Sequence, residues 1–121
     1  ETNEVFEEGV YAIEPFITKG SGKIYEGKDS GIYKLEKENN PRSESAREIL
    51  NFIIEEYETL PFASRWIIKK FGLKALFALK ELEKNGNLHQ FPQLIEVSHN
   101  KVAQAEETIL IENDKVTIIT K

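Results

Sequence analysis

The fold is decided by residues 43–57, SESAREILNFIIEEY, where the hydrophobic period changes from that of a strand to that of a helix. Apolar side chains there recur at the i, i+3, i+4, i+7 spacing of an amphipathic helix. They are Ala46, Ile49, Leu50, Ile53, Ile54 and Tyr57. Ser43 or Ser45 can cap this helix, because a serine oxygen accepts an orphan amide of the first turn.

Two further helices are predicted C-terminal to it. The second begins at Thr59-Leu60-Pro61, with Pro61 in the first turn where its missing N–H costs least, and runs to Gly72. The third covers residues 73–84 and stops at Asn85-Gly86. The three helices predict a small bundle.

Short strands are predicted before the helices. Residues 10–13 are apolar and end at Glu14-Pro15, where proline interrupts ladder pairing. The glycines of residues 18–22 predict a tight turn into a second strand at 23–25, and therefore a hairpin. After a break at residues 27–31, a further strand is predicted at 32–35.

Strands are also predicted after the helices. Phe91-Pro92 predicts a break, and residues 94–97 and 102–111 predict a hairpin around Ser98-His99-Asn100. Asn113-Asp114 then turns into a last strand at 116–120. The fold class is α+β, with strand-rich ends at 1–37 and 94–121 around a helical insertion at 38–93.

Composition limits the classes of function. A chain of 121 residues, 40% hydrophobic and 31% charged, fits one globular domain. It lacks a run of roughly 18 apolar residues and has an acidic start unlike a signal peptide, which predicts a cytoplasmic protein with no membrane partner. With no cysteine, a metal site would need oxygen or histidine ligands. The net charge of −5 opposes a broad nucleic-acid footprint, because affinity for phosphates comes from clustered lysine and arginine. The absence of methionine predicts a processed, split or truncated piece.

Two glutamates are candidate metal ligands. Alternation along 102–111 places Gln104, Glu106 and Thr108 on one face and Glu107 on the other. Glu106 is then either solvated on an open face or held by a partner, because burying a lone carboxylate is costly. Glu14 is either presented at a strand end or a plain edge residue. Converging carboxylates would suit a hard divalent ion, but spacing alone leaves this open.

Four segments resemble the type 2 methionine aminopeptidases of archaea and eukaryotes, in both order and spacing. They are VYAIEPF at 10–16 with GSG at 20–22, TLPFASRW at 59–66, FPQL at 91–94, and VAQAEET at 102–108. The resemblance covers essentially the whole chain. It implies the C-terminal part of a pita-bread fold, in which antiparallel strands carry an inserted winged-helix-like subdomain of three helices.

The resemblance also implies a site. Glu14 and Glu106 would be metal ligands, with Glu106 bridging two divalent ions, expected to be Co, Mn, Fe or Zn. Ile32, Pro61 and Phe91 would line a pocket for the methionine side chain. Phe91 departs from the usual tyrosine, and Ala105-Glu106-Glu107 departs from the family's Phe-Glu-His.

The implied activity is removal of N-terminal methionine from nascent peptides. The family's other ligands, two aspartates and a histidine, and its catalytic histidine have no counterpart here, so no catalytic residue is assigned in this chain. His89 and His99 match neither motif and are predicted to lie on the surface. We therefore expect an N-terminal part, as a separate or cleaved chain, and an inactive isolated chain.

Two other classes of function stay open. A non-catalytic relative of the same fold, acting as an interaction module, would account for the departures at Ala105 and Glu107. Three helices followed by a hairpin also have the order of a winged-helix nucleic-acid binder. That alternative rests on the basic residues Arg65, Lys69, Lys70 and Lys74. The net charge opposes it, and a solvated helix face accounts for the same residues.

Overall fold

The computed structural model describes residues 5–120 and contains eight strands and three helices in that range. The chain divides into two compact units, one of Glu1–Tyr25 with Ile95–Lys121 and one of Glu26–Leu94. The strands are β1 (Gly9–Ile13), β2 (Phe16–Thr18), β3 (Ile24–Leu35), β4 (Phe62–Ala63), β5 (Leu88–Glu96), β6 (Val102–Gln104), β7 (Glu107–Glu112) and β8 (Lys115–Ile118). The helices are α1 (Glu44–Tyr57), α2 (Ser64–Phe71) and α3 (Lys74–Lys84). None of these helices is long and apolar enough to cross a membrane.

The helical unit forms around α1, as the periodicity predicts. Ser43 is the N-cap, and its hydroxyl oxygen accepts a hydrogen bond from the Ala46 amide at 3.2 Å. The apolar stripes of the three helices, with Tyr33 and Leu88 from the strands, make one core. Its largest fully buried apolar side chains are Phe62, Ile49, Leu50, Ile53, Ile67, Leu79 and Leu82.

The predicted start of the second helix was wrong. Pro61 is not in its first turn, because Phe62 and Ala63 form β4 and pair with Tyr33 and Ile32 of β3 before the helix begins at Ser64. Burial explains the difference: Phe62 is 1% exposed, so the chain passes through the core before turning into α2. The third helix is confirmed at Lys74–Lys84.

Two breaks predicted from glycine and proline were also wrong. β3 is one strand of 12 residues that continues through Gly27–Gly31, and β5 continues through Phe91-Pro92. The sheet order is β4-β3-β5, so β5 is an edge strand. A proline is tolerated there, since an edge strand has N–H positions that no neighbouring strand requires.

The strand unit is built by pairing between distant parts of the sequence. One sheet has the order β1-β7-β8, and a second pairs β2 with β6. The hairpins predicted around residues 18–22 and 98–100 were wrong, because β1 pairs with β7, β6 with β2, and β5 with β3. The last hairpin is confirmed: Asn113 and Asp114 both have positive φ, 51° and 58°, as a two-residue hairpin loop requires.

Candidate metal-ligand site

The two predicted ligands lie opposite each other in the strand unit. The ladder between β1 and β7 ends at the pair Ile13 and Glu107, and the ladder between β2 and β6 resumes three residues along each chain in the same register. Glu14 is therefore directly opposite Glu106. Directly opposed residues of an antiparallel pair share one face of the sheet, so both carboxylates project from the same side.

Pro15 explains why the ladder is interrupted there. Ala105 donates its N–H to the Pro15 carbonyl at 3.1 Å, and Pro15 has no N–H to return the second bond of the pair. The single strand predicted at 102–111 was therefore wrong, because this gap divides it into β6 and β7. Glu14 and Glu106 stand at the neighbouring position between hydrogen-bonded pairs, where opposed Cα atoms approach to about 4.5 Å.

The chemistry of these groups fits a hard divalent cation. Both glutamates are exposed, and Glu14 Oε2 accepts a hydrogen bond from Gln104 Nε2 at 3.0 Å. Gln104 is the diagonal neighbour of Glu14 on the same face, so it fixes one carboxylate oxygen and leaves the other. Opposed like charges destabilise a sheet unless a cation lies between them, and carboxylate oxygens are the ligands that such ions prefer. Within residues 5–120, no cluster of three or more His, Asp or Glu is arranged to hold a metal.

Glu107 has a different environment. Its Oε2 accepts a hydrogen bond from the Thr120 hydroxyl at 2.6 Å, and the same hydroxyl accepts from the Thr108 amide at 3.0 Å. These bonds join β7 to the end of the β8 segment. Glu107 therefore contributes to the structure of this sheet, and it provides a matched comparison for Glu106.

The three predicted pocket residues lie in the other unit, on one sheet. Ile32 is half-buried in β3, opposite Ala63 of β4, and exposed Pro61 comes immediately before β4. Phe91 is half-buried in β5, the other neighbour of β3. Its carbonyl accepts a hydrogen bond from the Ser30 hydroxyl at 2.5 Å. Each of the three therefore lies in or next to a strand of the β4-β3-β5 sheet.

Both histidines are exposed, as expected. The His89 ring packs edge-on against Phe91 at 5.0 Å between centroids. His99 lies in the turn after β5 with a positive φ of 56°, and its ring is 6.3 Å from that of Tyr25.

One buried carboxylate was missed by the sequence analysis. Glu96 is 4% exposed and accepts hydrogen bonds from two turns. Ser21 Oγ and the Gly22 amide donate to its Oε1 at 2.8 and 3.2 Å. The amides of Ser98 and Asn100 donate to Oε2 at 2.8 and 3.3 Å, and the Ser98 hydroxyl also donates to Oε2.

These bonds hold the turns at residues 20–22 and 98–100 on one carboxylate, and we call this arrangement the Glu96 clamp. Hydrogen bonding, above all from the Ser98 hydroxyl, lowers the pKa of Glu96 to about 2. A Cβ at Gly20 would collide with the Glu96 carboxylate and the Ser98 hydroxyl, so any larger residue there would displace these hydrogen-bonded groups. The serines flanking both turns are the signal that could have identified this carboxylate.

Comparison with known proteins gives the relationship of the chain. No family model matches it. It is 41% identical over 121 residues to a methionine aminopeptidase of Pyrococcus horikoshii, covering 98% of this chain and 41% of that protein. The methionine aminopeptidase of Archaeoglobus fulgidus is 42% identical over 122 residues, covering 100% of this chain and 40% of the relative. That of Saccharolobus solfataricus is 37% identical over 118 residues, covering 94% and 39%.

A solved structure supports the fold. The structure of a thermophilic Arx1 matches 91% of this chain and 30% of its own, with a TM-score of 0.79 and 20% sequence identity. This likeness concerns the fold alone, and it confirms the expected α+β class of pita-bread type. The chain spans about 40% of the length of the curated relatives it matches. By sequence, the chain therefore resembles archaeal methionine aminopeptidases along nearly its whole length, and it corresponds to about two fifths of each of them.

Proposed function

We propose that this chain supplies two carboxylate ligands, Glu14 and Glu106, to a cytoplasmic dimetal aminopeptidase that removes N-terminal methionine from nascent peptides. The observation that carries the proposal is the placement of these two glutamates directly opposite each other at the gap between the two ladders. Their likeness in position to the ligand segments of the family supports it. Within residues 5–120, both arguments select this acidic pair alone.

The energetics of the pair also support a cation. Opposed glutamates repel each other. A lysine or threonine in place of either glutamate would make the cross-strand pair more favourable for the sheet. Gln104 holds one oxygen of Glu14 by a hydrogen bond at 3.0 Å, which restricts the carboxylate before any ion arrives. A divalent ion bound between the two carboxylates would neutralise their repulsion.

Each residue of the chain has a distinct part in the proposed mechanism. Glu106 would bridge two divalent ions, Co, Mn, Fe or Zn, and Glu14 would bind one of them. Ions held there would act as Lewis acids toward the scissile carbonyl. Ile32, Pro61 and Phe91 would select the methionyl side chain by apolar contact, which discriminates by about 1–3 kcal/mol per methylene.

The remaining ligands and the catalytic histidine would come from an N-terminal part, as a separate or cleaved chain. Exposed apolar side chains of the strand unit, among them Val10, Phe16, Ile17 and Val102, support this. Such strand surfaces are normally covered. On this proposal the isolated chain has no peptidase activity.

A chimera tests the proposed function. This chain replaces the matching two fifths of the Pyrococcus horikoshii methionine aminopeptidase, and methionine release from a methionyl peptide is measured with added Mn²⁺. We expect activity in the chimera and none in the isolated chain. Glu106→Gln should abolish the activity, whereas Glu107→Gln should retain it, because Glu107 bonds to Thr120. Turnover by the isolated chain, or equal losses in the two variants, would contradict the proposal.

A non-catalytic interaction module is the second candidate. The departures at Ala105 and Glu107 favour it, since Ala105 removes an aromatic ring beside Glu106 and Glu107 is engaged in the β7–β8 sheet. A chimera that folds and binds Mn²⁺ but releases no methionine would support this candidate over the enzyme.

A further inference from the structure

The two proposed ligands lie between two ladders of unequal extent. On one side, β1 pairs with β7 over five residues, and β8 extends that sheet. On the other side, β2 pairs with β6 over three residues, and these two strands form a separate sheet. A two-stranded sheet is marginally stable in water by itself. The placement of Glu14 opposite Glu106 therefore depends on what stabilises the β2–β6 ladder.

Packing within this chain contributes little to the β2–β6 ladder. Phe16 and Ile17 of β2 are 61% and 66% exposed, and Val102 of β6 is 47% exposed. A cavity of about 670 Å³ also borders the ladder, with Ile17, Val102 and Ala103 in its wall. Side chains this exposed bury little apolar surface, and burial of apolar surface is the main source of packing energy. Hydrogen bonds are therefore the principal restraint on this ladder.

The Glu96 clamp closes the far end of the ladder. Its two turns, at residues 20–22 and 98–100, lie one residue beyond the end of β2 and one residue before the start of β6. Thr18, the last residue of β2, joins the two sides, because its hydroxyl donates to the Lys101 carbonyl at 3.1 Å. The same hydroxyl accepts from the first amide of the 20–22 turn at 2.9 Å. A continuous series of hydrogen bonds thus runs from the ladder to the clamp.

The two oxygens of Glu96 are divided between the two chain segments that carry the ligands. Oε1 accepts from the turn that follows β2, and Oε2 accepts from the turn that precedes β6. A carboxylate that is 4% exposed is costly to bury unless both oxygens accept hydrogen bonds. A carboxylate can join two turns in this way, whereas a side chain with one acceptor oxygen can hold only one of them.

We propose that Glu96 is a positioning residue that holds Glu14 and Glu106 opposite each other, the arrangement that the proposed metal site requires. This inference rests on the proposed function. Glu96 acts through the β2–β6 register and does not touch the ion, because the four residues of extended chain from Glu14 to Thr18 span about 14 Å. A slip of one residue turns side chains to the other face of a sheet, so loss of this register would separate the two carboxylates.

NMR of the whole chain without metal tests the positioning role. Glu14 with Glu106, and Ala12 with Thr108, are both opposed pairs next to hydrogen-bonded positions. Their Cα atoms approach to about 4.5 Å, so the α-protons of each pair give a strong cross-strand NOE. In Glu96→Ala we expect loss of the NOE between residues 14 and 106. The NOE between residues 12 and 108 should remain, since the β1–β7 ladder does not depend on the clamp.

The affinity for Mn²⁺ alone, measured by EPR titration of the folded chain, tests the consequence for the metal site. Groups that orient metal ligands typically contribute 10–100-fold to affinity, so Glu96→Ala should raise the Mn²⁺ dissociation constant by roughly tenfold. Glu96→Gln should give an intermediate value, because its single carbonyl oxygen can serve one turn. Glu81→Gln is the matched control: Glu81 accepts bonds from the Ser43 amide and hydroxyl at 3.1 and 2.6 Å in the helical unit. It should lose stability without a change in Mn²⁺ affinity.

Gly20→Ala is a second variant in case Glu96→Ala does not fold, as judged by circular dichroism. It keeps the carboxylate but displaces it, because the added Cβ collides with Glu96, and it should show the same loss of the NOE and weaker Mn²⁺ binding. Persistence of the NOE between residues 14 and 106 in the folded variants would overturn the inference, and so would an unchanged dissociation constant or an equal change in Glu81→Gln. Absence of Mn²⁺ binding by the unchanged chain would contradict the proposed function, and the NOE comparison would then decide the positioning role by itself.

Discussion

In the absence of metal, the opposition of Glu14 and Glu106 should weaken the strand unit, and a double-mutant cycle measures this directly. The four proteins are the unchanged chain, Glu14→Gln, Glu106→Gln and the double variant. Glutamine keeps the length of the side chain, and at position 14 its carbonyl oxygen can still accept the hydrogen bond from Gln104. The cycle therefore isolates the interaction between the two charges.

The expected magnitude follows from the geometry. Two unit charges about 6 Å apart in water repel by about 0.7 kcal/mol. Opposed pairs in sheets contribute about 0.2–1 kcal/mol, so we expect a coupling near 0.5 kcal/mol that disfavours the folded chain. Each single variant should then be more stable than the unchanged chain by a few tenths of a kcal/mol. High salt should reduce the effect, because the Debye length is only about 3 Å at 1 M.

Bound metal should reverse the sign of the difference in stability between the unchanged chain and the variants. An ion that binds only the folded chain at ten times its dissociation constant stabilises it by about 1.4 kcal/mol. With Mn²⁺ the unchanged chain should therefore become more stable than either variant. Hydrogen exchange of the β1 and β7 amides in EDTA and in Mn²⁺ reports on this unit, and Glu107→Gln should respond to Mn²⁺ as the unchanged chain does. A zero or favourable coupling at low salt without metal would refute the reasoning.

Three further predictions concern stability, each measured by urea unfolding. Gly20→Ala should destabilise by about 1–3 kcal/mol, because its Cβ collides with the Glu96 clamp, and no loss would contradict that packing. Since the folded pKa of Glu96 is about 2 against an ordinary 4.5, its contribution is complete above pH 4.5 and is lost as the pH falls toward 2. Glu96→Gln should flatten that part of the profile, and an unchanged slope would count against the clamp. Asn87→Ala should lower the free energy of unfolding by about 1–3 kcal/mol, because the buried Asn87 Nδ2 donates to the carbonyls of Lys37 and Asn39 at 3.0 and 2.6 Å. A smaller loss would show that those bonds are dispensable.

Local signals in the sequence identified the elements that depend on local interactions. The period of α1 and its cap at Ser43 are properties of consecutive residues, and both agree with the structure. The same holds for the β7–β8 hairpin, where Asn113 and Asp114 tolerate positive φ. These elements could be predicted because no distant segment decides them.

The structural effect of each proline and the pairing partner of each strand were harder to predict from the sequence. Pro15 interrupts a ladder, Pro92 lies within an edge strand, and Pro61 precedes a short buried strand, although all three have the same local chemistry. What differs is the neighbouring strand, which the local sequence does not specify. The pairing of β2 with β6 joins residues 84 to 88 positions apart, so the turns predicted from glycines gave the wrong pairing partners.

The candidate site also combines features that the local sequence predicts with features that depend on distant segments. Alternation and the family resemblance selected Glu14 and Glu106, but neither could show that one register continues across the gap and opposes them. Glu96 was missed because its partners lie in two turns separated by more than seventy residues. A buried carboxylate of this kind is recognised by its donors, and those are assembled only by the fold.

The central claim is that Glu14 and Glu106 bind a divalent ion together, and paramagnetic broadening by Mn²⁺ tests it most directly. Amide resonances of the chain are recorded by NMR while Mn²⁺ is added in small amounts. The claim predicts that broadening centres on residues 14–15 and 104–107, and that Glu14→Gln and Glu106→Gln each abolish it while Glu107→Gln does not. Broadening centred elsewhere, or unchanged in both variants, would contradict the claim.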